Sequence, residues 1–246
     1  MQGVHRLEKV FGAQMLVILQ LALVVVSAAA LRVPPPSLIL APSPAPGALE
    51  VYHRLSRESA VLLAGVQSFV LATGADSASQ FMHGGPVDPA HVAAMATSAS
   101  LFSGAMNVPW LRSLEHHIPG TSTCAIGLKS LADFAICAPV VNSLYLYSVP
   151  LLTSWYGGQS LMNAGGAAQC GWSAEALACA MLLNLCTFQP WNLVQFACVP
   201  PELRPLGGAC VSATATIVLS GITLGYAEIA EVVDAVADVV DAVPAI

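Results

Sequence analysis

The stretch that decides the fold runs from Leu101 to Pro139. It opens Leu101-Phe102-Ser103-Gly104, passes through Trp110-Leu111-Arg112-Ser113-Leu114-Glu115-His116-His117-Ile118-Pro119-Gly120, and continues Leu128-Lys129-Ser130-Leu131-Ala132-Asp133 to Ala138-Pro139. Two apolar segments flank a short polar turn. The second carries Lys129 and Asp133 four residues apart, a spacing that puts both charges on one face of a helix. Their surroundings are nearly uncharged. That places the pair at membrane depth, where an ionisable residue is costly and is by default a functional candidate.

Composition points the same way. Of 246 residues, 56% are hydrophobic and 9% charged, and the mean hydropathy is +0.72. An ordinary soluble domain has about 25% charged residues, so this chain lacks the charge to wet a globular surface. The net charge is −6, and five of the fourteen acids (Glu228, Glu231, Asp234, Asp238 and Asp241) lie together near the end. No basic patch exists, which excludes the electrostatic footprint of nucleic-acid binding. Seven cysteines are scattered with no C-x-x-C pair, and they read as buried free thiols. His116-His117 has no third ligand nearby in sequence, so no metal site and no cofactor are expected.

Working outward, residues 1–31 read as a signal or targeting segment. Arg6 and Lys9 precede an apolar run from Met15 to Val26, and small residues follow. Residues 32–49 form a Pro-rich linker suited to extended polyproline II. Residues 50–227 form the membrane domain, with helices expected near 57–80, 90–115, 123–150, 174–198 and 205–227. The last uncharged block, Pro205 to Ala227, holds 23 residues. At about 1.5 Å each it covers the roughly 30 Å hydrocarbon core. Runs such as Ala93-Ala94-Met95-Ala96-Thr97-Ser98-Ala99-Ser100 supply the small residues that let helices approach in lipid. The glycines between Tyr156 and Gly171 mark a loop, and residues 228–246 an acidic amphipathic tail. The expected fold is all-α, a multi-spanning transmembrane bundle of four to five apolar helices. The core cations, Arg54, Arg57, Arg112, Lys129 and Arg204, all fall on one side if five helices cross.

The order and spacing of certain residues resemble the Mpv-seventeen / peroxisomal membrane protein twenty-two family of small organelle membrane proteins. Tyr52 precedes Asp76 by 24 residues, and Gln80 follows four later. Gly104, Trp110, Leu114, Glu115, Pro119 and Gly120 come next, then Lys129, Asp133 and Pro139. The C-terminal signature is matched by Phe188, Asn192, Gln195, Phe196, Val199, Pro200 and Arg204, with Leu219-Ser220 beyond. Departures include Ala105 in place of a proline, Phe134 in place of a glutamine, and exchanged positions for Asn192 and Gln195. The resemblance implies a channel role and a home in the mitochondrial inner membrane, the peroxisome or a plastid envelope.

These residues weigh as follows. Lys129 and Asp133 either fix helix packing as an ion pair or line a pore. Asp76 is expected to end the first helix, either as a cap or interface residue or as a pore charge. Arg204 is expected either to mark the water interface by snorkelling or to serve as a pore or ion-pair charge, and Trp110 to anchor at the interface as an interfacial aromatic. Pro139 and Pro150 are expected at helix kinks or ends. Gly104, Phe196 and Pro200 enter through the family signature alone. No G-x-S-x-G, phosphate loop or H-E-x-x-H appears, so no enzyme is expected. The reading is a weakly selective channel for small solutes or ions. The alternative is a non-transporting structural or assembly factor whose acidic tail binds a partner. Expected partners are the lipid bilayer, small solutes or ions, and further copies of the chain in a homo-oligomer.

Overall fold

The computed structural model describes residues 47–84, 86–160, 165 and 172–224. The targeting segment, all but the end of the Pro-rich linker, most of the glycine-rich loop and the acidic tail lie outside the described residues. Regular structure among those described is helical throughout: α1 (Ala48–Glu58), α2 (Ala60–Met82), α3 (Pro89–Leu101), π1 (Phe102–Asn107), α4 (Val108–His117), α5 (Thr123–Ala132), π2 (Asp133–Cys137), α6 (Ala138–Tyr156), α7 (Ala174–Cys198) and α8 (Arg204–Thr223). The protein is an all-α membrane helical bundle.

The burial pattern of α2 is that of a helix solvated by lipid. Its buried residues are small or polar: Ala60, Ala64, Gly65, Ser68, Ala72, Ala75, Asp76, Ser79 and Gln80. Its large apolar residues, including Leu62, Val66, Phe69 and Val70, are exposed. A water-soluble protein buries the large and exposes the polar. In lipid, helix association depends on close packing and interhelical hydrogen bonds, which favours small residues inside. Among the described residues three helices are long and apolar enough to cross a membrane: α2 with 23 residues, the continuous α5–π2–α6 with 34, and α7 with 25. The 34-residue helix is roughly 50 Å long, so it reaches past a hydrocarbon core of about 30 Å.

Five long helical segments close into a ring. α2 packs on α3, α3 on α6, α6 on α7, α7 on α8, and α8 back on α2. The α2–π1 contact depends on glycine, because a Cβ at Gly104 would stand 2.6 Å from the Val61 carbonyl oxygen. Ser79 Oγ donates to the Ile217 carbonyl at 3.0 Å, tying α2 to α8. Ser98 and Ser148 hydroxyls meet at 3.0 Å between α3 and α6. Such bonds contribute about 0.6 kcal/mol each in membranes.

The element boundaries differ from the sequence expectation in instructive ways. The helix expected at 57–80 is two helices, α1 and α2, broken at Ser59. The one expected at 90–115 runs from Pro89 to His117 with a π-turn inside it. Pro139 does not end the helix but follows π2 at the start of α6, as Pro109 follows π1 at the start of α4. A proline lacks the N–H for the carbonyl four residues back and crowds it, and widening the turn before it relieves both. Pro150 and Pro190 sit inside α6 and α7.

Candidate functional site: an ion cluster and an interior polar cavity

Lys129 is 0% exposed, and its partner is not Asp133. Its Nζ donates to Glu115 Oε2 at 2.8 Å and to the Gly120 carbonyl at 2.9 Å. Gly120 has φ +94°, which a residue with a side chain adopts at a cost. Glycine there sets the turn between α4 and α5. Arg204 Nη1 donates to Glu115 Oε1, and Arg204 Nε to the carbonyls of Gln195 and Val199 at 3.1 and 3.0 Å. Arg204 therefore caps the C-terminal carbonyls of α7 from a buried position, rather than snorkelling to water.

The Phe196 ring, fully buried, lies beside both cations. Its centroid is 5.6 Å from Lys129 Nζ and 5.3 Å from Arg204 Cζ, within cation–π range. Glu115 lies outside the three helices long and apolar enough to cross. Burial pushes its carboxyl up, but the hydrogen bonds and charges of Lys129 and Arg204 outweigh this and hold it below its ordinary value. A cavity of about 410 Å³ adjoins the cluster and is lined by Arg57, Arg112 and Arg204 with Glu115 and Glu202. With Lys129 bound to Glu115, four of the five core cations gather at one end of the bundle.

Asp133 turns elsewhere, into the ring. Trp110 Nε1 donates to its Oδ1 at 2.8 Å, and Asn192 Nδ2 to its Oδ2 at 2.7 Å. Trp110, half-buried, is thus tied to the Asp133 carboxylate. Gln195 Nε2 donates in turn to Asn192 Oδ1. Asp133 opens π2 and lines a partly open cavity of about 100 Å³ between α3–π1, π2–α6, α7 and α8. Asn107, Asn142, Asn184, Asn192 and Gln195 line it too. Both π-turns face it, and such turns often mark functional sites. Three buried polar atoms on its lining residues have no hydrogen-bond partner among the described residues: Asn184 Oδ1, Gln195 Oε1 and Trp191 Nε1.

Asp76 stands apart from both cavities. It lies inside α2, which runs on to Met82, so it does not end the helix. Gln80 Nε2 donates to its Oδ2 at 2.9 Å, and His91 Nδ1 lies 3.0 Å from the same oxygen. Gln80 Oε1 accepts from the Asp88 backbone N–H at 2.6 Å. Asp88 caps α3 through Ala90 and His91. Asp76 thereby holds α2 to the start of α3. Pro200 is exposed in the turn between α7 and α8, where its carbonyl accepts from the Leu203 N–H at 2.9 Å.

Sequence reasoning did not single out Glu115 as the carboxylate of the ion cluster, nor Asn184 and Gln195 as cavity groups. One signal was present for Glu115. It is the sole acid between Asp88 and Asp133, a span that also holds Arg112 and Lys129.

No protein-family model matches the chain, and no solved structure matches it. Over 80 residues the chain is 35% identical to the Mpv17-like protein of Bos taurus, an overlap of 32% of this chain and 41% of that one. The chain thus matches less than half the length of this curated relative.

Proposed function

We propose that this chain is an organelle integral membrane protein of the Mpv-seventeen / peroxisomal membrane protein twenty-two family, acting as a weakly selective channel for small solutes or ions rather than as an enzyme. The observation that carries the reading is the interior cavity. Interhelical hydrogen bonds account for inward polar groups that pair with one another, but not for buried polar atoms left unpartnered around a cavity, because polar groups at membrane depth are costly. Here three helical segments turn amides or a carboxylate toward one volume, α8 adds the hydroxyls of Ser212 and Thr216, and Asn184 Oδ1 and Gln195 Oε1 remain unpartnered among the described residues. The partial likeness to an Mpv17-like protein supports the family and, with it, the organelle membrane.

The test is reconstitution of the purified chain in planar bilayers. Discrete conductance steps with weak discrimination among small ions are the expected result. A silent bilayer containing folded, inserted protein would overturn the channel reading and leave the scaffold reading standing. Imaging of a tagged chain tests the organelle: a signal confined to the plasma membrane contradicts it.

A further inference from the structure

The cavity at the cation-rich end of the bundle is the larger of the two. Its volume of about 410 Å³ lies within the usual range of small-molecule sites, about 300–1,000 Å³. Arg57 on α1, Arg112 on α4 and Arg204 on α8 line it, with Glu115 and Glu202. Glu115 is already used, since its two oxygens accept from Lys129 and Arg204. Arg57 and Arg112 are exposed, and among the described residues neither takes part in an ion pair. Arg57 gives its Nε to the His53 carbonyl at 3.3 Å, which leaves its other N–H groups available. Both arginines are anchored close to Arg204. Arg112 stands three residues before Glu115, the partner of Arg204, and residues three apart are neighbours on a helix surface. Arg57 follows Ser56, whose buried Oγ donates at 2.7 Å to the carbonyl of Glu202, two residues before Arg204. That bond ties α1 to the turn between α7 and α8, so the wall that carries Arg57 is held in place.

We propose that this cavity binds the phosphate of a hydroxyl-bearing phosphate ester between the Arg57 and Arg112 guanidinium groups, the ester being either the headgroup of an anionic phospholipid or a soluble molecule. Guanidinium forks match phosphate oxygens in geometry and charge. Counting Lys129, four cations stand against two carboxylates here, so the field favours an anion. Ala60 opens α2 and Arg204 opens α8, and both line the cavity, which places two positive helix ends at its wall. The opposing negative ends are answered by arginine: Arg204 caps α7, and Arg57 lies in the last turn of α1. Glu202, half-buried and without an ion-pair partner among the described residues, suits a hydroxyl donor on the same ligand. Val108, Leu111 and Pro205 supply an apolar wall for the carbon skeleton.

The site is independent of the channel reading, because none of its residues lines the interior cavity. The test uses the purified full chain in a neutral detergent at fixed ionic strength, with melting temperature as the readout. Phosphatidylglycerol is the lipid arm, phosphatidylcholine its zwitterionic control, and glycerol 3-phosphate the soluble arm. A saturable rise with phosphatidylglycerol and none with phosphatidylcholine is expected. A rise with lipid alone identifies a headgroup; a rise with glycerol 3-phosphate identifies a soluble ester. Arg57→Gln and Arg112→Gln should each raise the apparent Kd about tenfold, equivalent to about 1.4 kcal/mol. Both side chains are exposed, so both variants should fold. Arg54→Gln removes the same charge from an exposed position on α1 outside the cavity lining and should leave the Kd unchanged. No saturable rise in either arm overturns the proposal, as does binding that survives in both cavity variants. An equal loss in Arg54→Gln overturns it too, because general attraction to a basic surface would then explain the binding.

Discussion

Replacing Glu115 by glutamine should destabilise the bundle more than replacing Lys129 by methionine. Glu115 is the one carboxylate shared by two buried cations, Lys129 at 0% and Arg204 at 6% exposure, while its own side chain is 31% exposed. Glu115→Gln keeps the shape and removes the charge, leaving two buried cations side by side. Breaking a buried pair costs about 3–5 kcal/mol, and the partial exposure of Glu115 argues for the lower end, about 3 kcal/mol. Lys129→Met removes the buried charge along with its partner's need for it. Arg204 still holds Glu115, and the losses are the Lys129 hydrogen bonds to Glu115 and to the Gly120 carbonyl, about 1–2 kcal/mol. Denaturant unfolding in detergent micelles, followed by far-ultraviolet circular dichroism, measures both. An ion pair between Lys129 and Asp133 would invert the order, because Lys129→Met would then strand a carboxylate and Glu115→Gln would cost little. Equal or inverted losses refute the assignment.

Three further outcomes follow from single contacts. Gly104→Val should lower folded yield, since even a Cβ would stand 2.6 Å from the Val61 carbonyl and overpacking costs about 1–3 kcal/mol; a wild-type melting curve would contradict the close α2–π1 approach. Asp88→Ala removes the cap on α3 and should cost about 1 kcal/mol, read as a lower melting temperature with no change in conductance. Glu115 is held below its ordinary pKa of 4.5, so its stabilisation is complete above that value and is lost as pH falls through the lowered one. Stability measured against pH should therefore show no loss from Glu115 between about pH 7 and 5, and its acid-side decline should be shallower in Glu115→Gln.

The helices were legible where charge bounded them. The block between Glu175 and Glu202 is uncharged, and α7 spans 174–198 as its spacing predicts. α1 was not legible as a separate helix, because nothing in the composition marks the break at Ser59. The spacing of Lys129 and Asp133 is a local signal, and it misled. Their partners lie 14 residues back for Lys129, and 23 back and 59 ahead for Asp133. Only the turn at Gly120 and the closure of α7 against the α5–π2–α6 helix bring them in. The cavity was illegible for the same reason. Its polar groups come a few at a time from four helical segments, and no stretch of sequence shows them together. Of the π-turns only π2 was half visible, since Pro139 announces a disturbed helix without saying which kind.

The central claim is that the interior cavity is the conduction route, and Cys137 on its wall allows a direct test. The chain is reconstituted in planar bilayers with the other six cysteines replaced by serine or alanine, and a small charged methanethiosulfonate reagent is added. The account predicts discrete steps that shrink or vanish on modification, and no response once Cys137 is also serine. Steps that persist unchanged with Cys137 fully modified, as judged by mass, would place the current elsewhere and contradict it.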